Sequence, residues 1–220
     1  MTAPIKHIIQ NSTFWLSPHR CLYWEEERAL ILSDLHFGKT GHFRKSGIPV
    51  PQNIFIEDLQ RLMDQIAYFK PRQIIAVGDL FHSEANKELD LFVKWRNDFP
   101  ELIFILVRGN HDILHAEWYI KAGIQVQEGS YTLSGFDFLH DPAEVKMKTE
   151  GANFIFSGHI HPGVHISGLG KQSLQFPCYY ITNRLAILPA FSKFSGLAIV
   201  KKKKYETIYA IVNQSLVNIQ

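Results

Sequence analysis

Carboxylate, imidazole and amide side chains recur along this chain in an order suited to binding divalent cations. Asp34 and His36 occur in SDLHFGK, Asp79 in VGDLFHS, Asn110 and His111 in RGNHD, His140 in FLHDP, and His159 and His161 in SGHIHPG. Each fragment alone says little. GD and GN commonly mark turns, and a single His after an apolar run is ordinarily a hydrogen-bonded structural residue. The whole series, with each group directly after an apolar run, predicts one shared site. Such a set can hold two divalent ions, and a pair of ions about 3.5–4 Å apart is a recurring device for in-line attack on phosphorus.

The apolar runs ALIL, QIIAV, LIFILV, FDF and NFIF come before these groups and read as short buried strands. The polar residues therefore emerge at strand ends, where open α/β sheets bind ligands. Residues two apart in a strand share a face, so Asp34 and His36 are expected to point the same way, as are His159 and His161. Phe55, Leu59, Leu62, Met63 and Ile66 recur at helical spacing and predict an amphipathic helix over 54–69. A charged helix is expected from about Glu84 to Asn97, a turn at Pro100, and a short helix from Ile113 to Gly123. Residues 5–33 read as short β runs, and 124–140, 153–160 and 173–189 as β-rich. A first half alternating β and α with a second half mostly of strands suits a sandwich of two mixed sheets.

With 220 residues, 46% of them apolar and 13% aromatic, the chain can bury a sizeable core. No linker-like stretch interrupts the pattern, so a single domain over residues 1–220 is expected. A net charge of +2 does not make a bulk polyanion binder, so any nucleic-acid contact must come from local patches. Cys21 and Cys178 are far apart, with no C-x-x-C spacing, and read as reduced thiols of a cytoplasmic protein. The start, MTAPIKHIIQNSTFW, does not read as a signal peptide. No apolar run approaches the ~18 residues of a membrane span, so a soluble protein is expected.

The ordered ligand set resembles the calcineurin-like metallophosphoesterase superfamily. That resemblance implies an α/β fold, a four-layer αββα sandwich of two mixed β-sheets flanked by helices. It also implies a division of labour. Asp34, His36 and His161 would hold one metal, Asn110, His140 and His159 the other, with Asp79 bridging. His111 would stand near the leaving-group oxygen. The stretches DLHFGKTGHFRKSGIPVP (34–51) and LPAFSKF (188–194) are also similar to the bacterial ligase-associated DNA damage response endonuclease family. Ser192 and Lys193 stand where that family has Gly, away from the ligands. The closer resemblance implies DNA as the substrate, a role in repair, and a DNA ligase or helicase as partner.

Imidazoles, carboxylates and an amide without a thiolate suit Mn²⁺, Fe²⁺ or Zn²⁺ better than Mg²⁺ or Ca²⁺, and the resemblance puts Mn²⁺ first. Two such ions would outweigh the charges of Asp34 and Asp79, attract a phosphate ester, and make a bridging hydroxide available as nucleophile near neutral pH. His111 is the candidate general acid. Asp112 would orient its ring or, alternatively, cap the helix that follows. Arg108 would clamp phosphate oxygens or form a structural salt bridge. His82 is expected to contact a ligand or the substrate rather than a metal. The loop from Lys39 to Gln52 interleaves Lys39, His42, Phe43, Arg44 and Lys45, a mix suited to phosphate contacts plus a stacking ring; it also reads as a solvated loop with Phe43 tucked into the core. Lys201 to Lys204 read most simply as an exposed hairpin turn, with DNA-backbone contact as the alternative.

These readings converge on a dinuclear metal-dependent phosphodiesterase, and the closer resemblance makes it a DNA endonuclease. The runner-up is a phosphoesterase of a small-molecule diester or monoester. A non-catalytic scaffold of the same fold is disfavoured by the intact ligand set.

Overall fold

Short runs of β-branched and aromatic residues, broken by turn residues, build two sheets. The structure, a computed structural model, describes residues 3–45, 47, 53–82, 87–147, 153–168 and 173–220. The side chains of His42, Arg44 and Lys45, and the expected helix start near Glu84, lie outside the described residues.

The first sheet runs in sequence order: β1 (Ile5–Ile9), β2 (Ser12–Ser17), β3 (Cys21–Trp24), β4 (Ala29–Leu32), β5 (Gln73–Val77), β6 (Ile103–Val107) and β7 (Ile124–Gln127). Pairing is antiparallel from β1 to β4 and parallel from β4 to β7. Helices fill the parallel connections: α1 (Lys39–Lys45) and α2 (Asn53–Phe69) after β4, α3 (Lys87–Asn97) after β5, and α4 (Ala116–Lys121) after β6. The second sheet contains β8 (Ser130–Leu133), β9 (Phe136–Leu139), β10 (Phe154–Ser157), β11 (Pro162–Ser167), β12 (Ser173–Ile181), β13 (Leu185–Ile187) and β14 (Ala198–Ile199). Their order is β14-β11-β12-β13-β10-β9-β8. β15 (Thr207–Val212) pairs with β12, and β16 (Ser215–Ile219) with β15.

The sheets face each other across a core rich in rings. Phe14 stacks on Trp24 at 5.3 Å and tilts against Phe156 at 5.0 Å, while Phe136 meets Trp24 edge-on at 4.9 Å. Burying each such ring contributes about 1.5–3 kcal/mol. The other face of the first sheet is covered by α2, α3 and α4 through Phe55, Leu62, Phe92, Trp95 and Tyr119. Helical cover is uneven: beyond β12 and β15 lies a small cluster of Val164, Cys178, Ile208 and Ala210, to which no α-helix contributes among the described residues. Among the described residues, no helix is long and apolar enough to cross a membrane.

Two local expectations need correction. The segment after the first ligand pair is not all loop, because Lys39–Lys45 forms α1. Buried Glu88 of α3 fastens its start, accepting from Gly38 N–H (2.9 Å) and Thr40 Oγ (2.6 Å); a contact so distant in sequence leaves no local trace. Lys201–Lys204 are not a hairpin turn either. They connect β14, which pairs with β11, to β15, which pairs with β12 and β16.

Candidate metal centre

β4, β5 and β6 end side by side, and the segments that leave them carry Asp34 and His36, Asp79, and Asn110 and His111. Across the sandwich, β9 and β10 end before His140 and before His159 and His161. The chain after β13 joins the two sides: Phe191 N–H donates to Ser33 O (2.8 Å) and Ser192 N–H to Asp34 O (3.1 Å).

The side chains converge by a route that strand alternation does not supply. Asp34 (φ 54°), His36 (50°), Asp79 (50°), His159 (67°) and His161 (53°) all adopt left-handed backbone. Each such residue costs on the order of 1–3 kcal/mol and persists only where the surroundings dictate it. Here they do, because Asp34 N–H bonds Gly78 O (3.0 Å) and His36 N–H bonds Asp79 O (2.9 Å). Asp34 and His36 do share a site, but His159 and His161 do not point the same way. They leave the strand in left-handed turns and divide between two groups.

Those groups are Asp34, His36 and His161, and Asp79, His140 and His159. In the first, His161 Nε2 lies 3.2 Å from Asp34 Oδ1 and 3.3 Å from His36 Nε2. In the second, His140 Nε2 is 3.1 Å from His159 Nδ1, 3.2 Å from Asn110 Oδ1 and 3.4 Å from Asp79 Oδ2. One ring nitrogen carries at most one proton and cannot bond all three neighbours that way. Donor atoms held ~2.1 Å from one cation sit about 3.0–3.4 Å from each other, so these residues fit a divalent ion in each group.

The rings are held for the task. His140 Nδ1 lies 3.1 Å from Val77 O, which leaves Nε2 facing the group. His36 is set instead by rings, edge-on to His161 (5.3 Å), His82 (5.4 Å) and His111 (5.6 Å). Burial, with the Lys39 charge, drives the His36 pKa down to about 3, so its ring is neutral and ready to ligate. Burial works against charge at His140 too, but the hydrogen bond and charge of Asp79 raise its pKa; burial likewise opposes the charge of Asp79, and the hydrogen bond and charge of His140 lower its pKa in spite of it. The buried carboxylates therefore draw a positive charge to this point, as a cation would supply.

Glycines make room for the ligands. At Gly78 (φ 80°) a Cβ would collide with the His140 ring, and at Gly158 with Ser33 Oγ and the Asp34 carboxylate. Ser33 Oγ in turn donates to Asp34 Oδ2, and Ser157 Oγ to His140 O (2.7 Å). Sequence reasoning missed both serines, although each adjoins a ligand motif.

Around the groups the remaining candidates divide. His111, 42% exposed, belongs to neither; its Nε2 is 4.0 Å from Asp79 Oδ2 and its ring 4.3 Å from that of His82. Lys39 is half-buried, which lowers its pKa against the opposing charges of Asp79 and Asp34. Asp112 does not cap α4, whose N-cap is His115. Its bonds run to the N–H groups of Phe81 (3.0 Å) and Gly109 (2.9 Å) rather than to the His111 ring. Burial pushes its pKa up to about 7 against the pull of those donors, and it ties the Asp79 segment to the Asn110 segment. Arg108 pairs with Glu128 at 3.3 Å and lies 5.6 Å over the Tyr119 ring. A cleft of about 370 Å³ opens here between Arg108, Asn110, His140, Asp141 and His159. A larger one, about 730 Å³ beside Arg20, Arg61 and Lys193, contains none of the candidate ligands. Chemistry, not volume, locates the site.

The calcineurin-like phosphoesterase family model matches residues 27–125, the span from the approach to β4 to the start of β7. Over that span the chain is similar to calcineurin-like phosphoesterases. Likeness in structure reaches further than that span: the crystal structure of Pseudomonas putida nuclease MPE superposes with a TM-score of 0.80 at 26% identity, covering 94% of this chain and 96% of that one. Vps29 from Entamoeba histolytica, solved with Zn²⁺, gives a TM-score of 0.40 at 12% identity over 87% of this chain and 96% of its own. No curated protein matches. Metal-dependent phosphoesterase chemistry suits both the phosphoesterase domain and the two ligand groups brought together here.

Proposed function

We propose that this protein is a dinuclear metal-dependent phosphodiesterase that cuts DNA internally, an endonuclease of DNA repair acting through one domain over residues 1–220. The observation that carries the reading is the interlocking of the two ligand groups. The N–H of His159, from one group, donates to the Asp34 carboxylate of the other at 3.1 Å, so cations in both would act on one phosphate. The likeness to a nuclease over nearly the whole chain supports DNA as the substrate.

Asp34, His36 and His161 would hold one ion, and Asn110, His140 and His159 the other, with Asp79 available to both. Mn²⁺ is the first choice, ahead of Fe²⁺ or Zn²⁺. When bound, the ions polarise the phosphoryl oxygens and make water nucleophilic near neutral pH. The chain's own residues do the rest. His111, outside both groups and partly exposed, gives its proton to the leaving sugar oxygen, worth roughly 10²–10⁴-fold. Its neighbour His82, with Lys39 at the start of α1, orients the phosphate. Arg108 borders the cleft, and His42, Arg44 and Lys45 follow Lys39 to meet the DNA backbone. Asp112 acts as a positioning residue, holding the segments that carry Asp79 and Asn110.

A circular single-stranded DNA tests the reading because it has no ends. With Mn²⁺ restored to metal-free protein, the circle should be linearised and then degraded, and bis-p-nitrophenyl phosphate hydrolysed. Hydrolysis of the small diester with the circle left intact would instead support a small-molecule phosphoesterase.

A further inference from the structure

We propose that Lys201–Lys204 with Tyr205 form a second contact for single-stranded DNA, engaging the strand a few nucleotides from the phosphate being cut. The inference deepens the nuclease reading and rests on it. All five residues are exposed, and Tyr205, at 84%, shows almost its whole ring to solvent. Its backbone is left-handed (φ 69°), an uncommon conformation for a bulky residue, set here by a turn in which Glu206 N–H donates to Lys203 O (3.2 Å). Lys204 Nζ lies 5.0 Å over the ring, placing a cation beside a stacking face.

Among the described residues, none of the four lysines forms an ion pair with a carboxylate. Lys202 Nζ donates to the Ile219 carbonyl and the Lys203 N–H to the Glu206 carboxylate, so one negative charge stands beside four positive ones and the segment stays basic. In a chain whose net charge is only +2, this is a local basic patch. Backbone-tracking cations beside an aromatic platform are what binding of a single strand without sequence preference requires.

The patch is tethered to the metal centre. Ala198 N–H donates to His161 O at 3.0 Å, and Val200 N–H to Gly163 O at 2.8 Å. An extended chain covers at most ~3.6 Å per residue, so Lys201 lies within about 11 Å of Ala198 and Lys204 within about 22 Å. A strand crossing the ligand groups reaches that far with a footprint of several nucleotides.

The test compares kcat/KM of the Mn²⁺-loaded protein on a fluorescent (dT)20 and on bis-p-nitrophenyl phosphate. Replacing all four lysines by Gln should lower the (dT)20 value at least about 10-fold at low salt and flatten its salt dependence by ~2–3 in the log–log slope. Tyr205→Asn, which tolerates left-handed backbone, should lower it by about 5- to 100-fold without moving the slope. Tyr205→Phe, which keeps the ring, should match the wild type, and no variant should change the small-diester rate. Wild-type (dT)20 kinetics and slope in the lysine and Tyr205→Asn variants would overturn this proposal alone. A wild type that hydrolyses the small diester but never (dT)20 would overturn the nuclease reading with it. Loss of binding to phosphatidylserine vesicles in the lysine variant, with (dT)20 kinetics unchanged, would replace the proposal by a membrane contact.

Discussion

His159 links the two candidate ligand groups: its backbone N–H donates to the Asp34 carboxylate at 3.1 Å, while its imidazole Nδ1 stands 3.1 Å from His140 Nε2 in the other group. Left-handed backbone at both Asp34 and His159 permits this crossing. A disturbance at either residue should therefore reach both cation sites.

Asp79→Asn tests the bridge. The amide oxygen can still accept the His111 N–H, bonded at 2.9 Å in the native chain, so the fold should survive. Metal content by mass spectrometry should fall at both sites together, from two ions per chain toward none. Retention of one full equivalent would remove Asp79 from the bridging role.

His111 supplies a proton in the proposed mechanism and holds no metal. His111→Ala should keep the metal content and lower the rate on DNA by roughly 10²–10⁴-fold. The p-nitrophenyl diester, whose leaving group needs little protonation, should be slowed far less. Equal losses on the two substrates would count against the acid role.

Gly158→Ala places a methyl group against Ser33 Oγ and the Asp34 carboxylate. Overpacking of this kind costs about 1–3 kcal/mol, and displacement of Asp34 should weaken metal uptake as well. Gly196→Ala, where nothing lies within 4 Å, should change stability by no more than about 0.5 kcal/mol. Denaturant titrations of both variants provide the comparison, and equal stability would show that the close approach at Gly158 is easily relaxed.

Cys21 and Cys178 are fully buried, and burial pushes both thiols up to about 12. The sign is clear: at pH 8, well below that value, almost no thiolate is present, and the thiolate is the reactive form. A disulfide reagent at pH 8 should find no fast-reacting thiol in the native protein and both after denaturation. A rapidly modified native thiol would mean that one of these strands opens.

By itself the sequence determined which candidate ligands the chain offers. The ligand types, their order and their position after apolar runs are local facts, and so is the helical stripe of α2, observed over Asn53–Phe69 where spacing predicts 54–69. Tertiary structure decided direction and partnership. The rule that residues two apart share a face holds only in extended backbone; Asp34, His36, His159 and His161 are all left-handed instead, and the first two fall in one group while the last two fall in different ones. Bonds from segments far apart in the chain hold such backbone in place, as Gly78 O and Asp79 O do for Asp34 and His36. Asp112 likewise binds the Phe81 and Gly109 N–H groups, not the adjacent His111 ring. Pairing of β14 with β11 and of β15 with β12 turned an expected hairpin of lysines into a crossing between strands that are not neighbours. A side chain's chemistry is written in its own residue, but where it points depends on backbone angles and pairings that form only when distant segments meet.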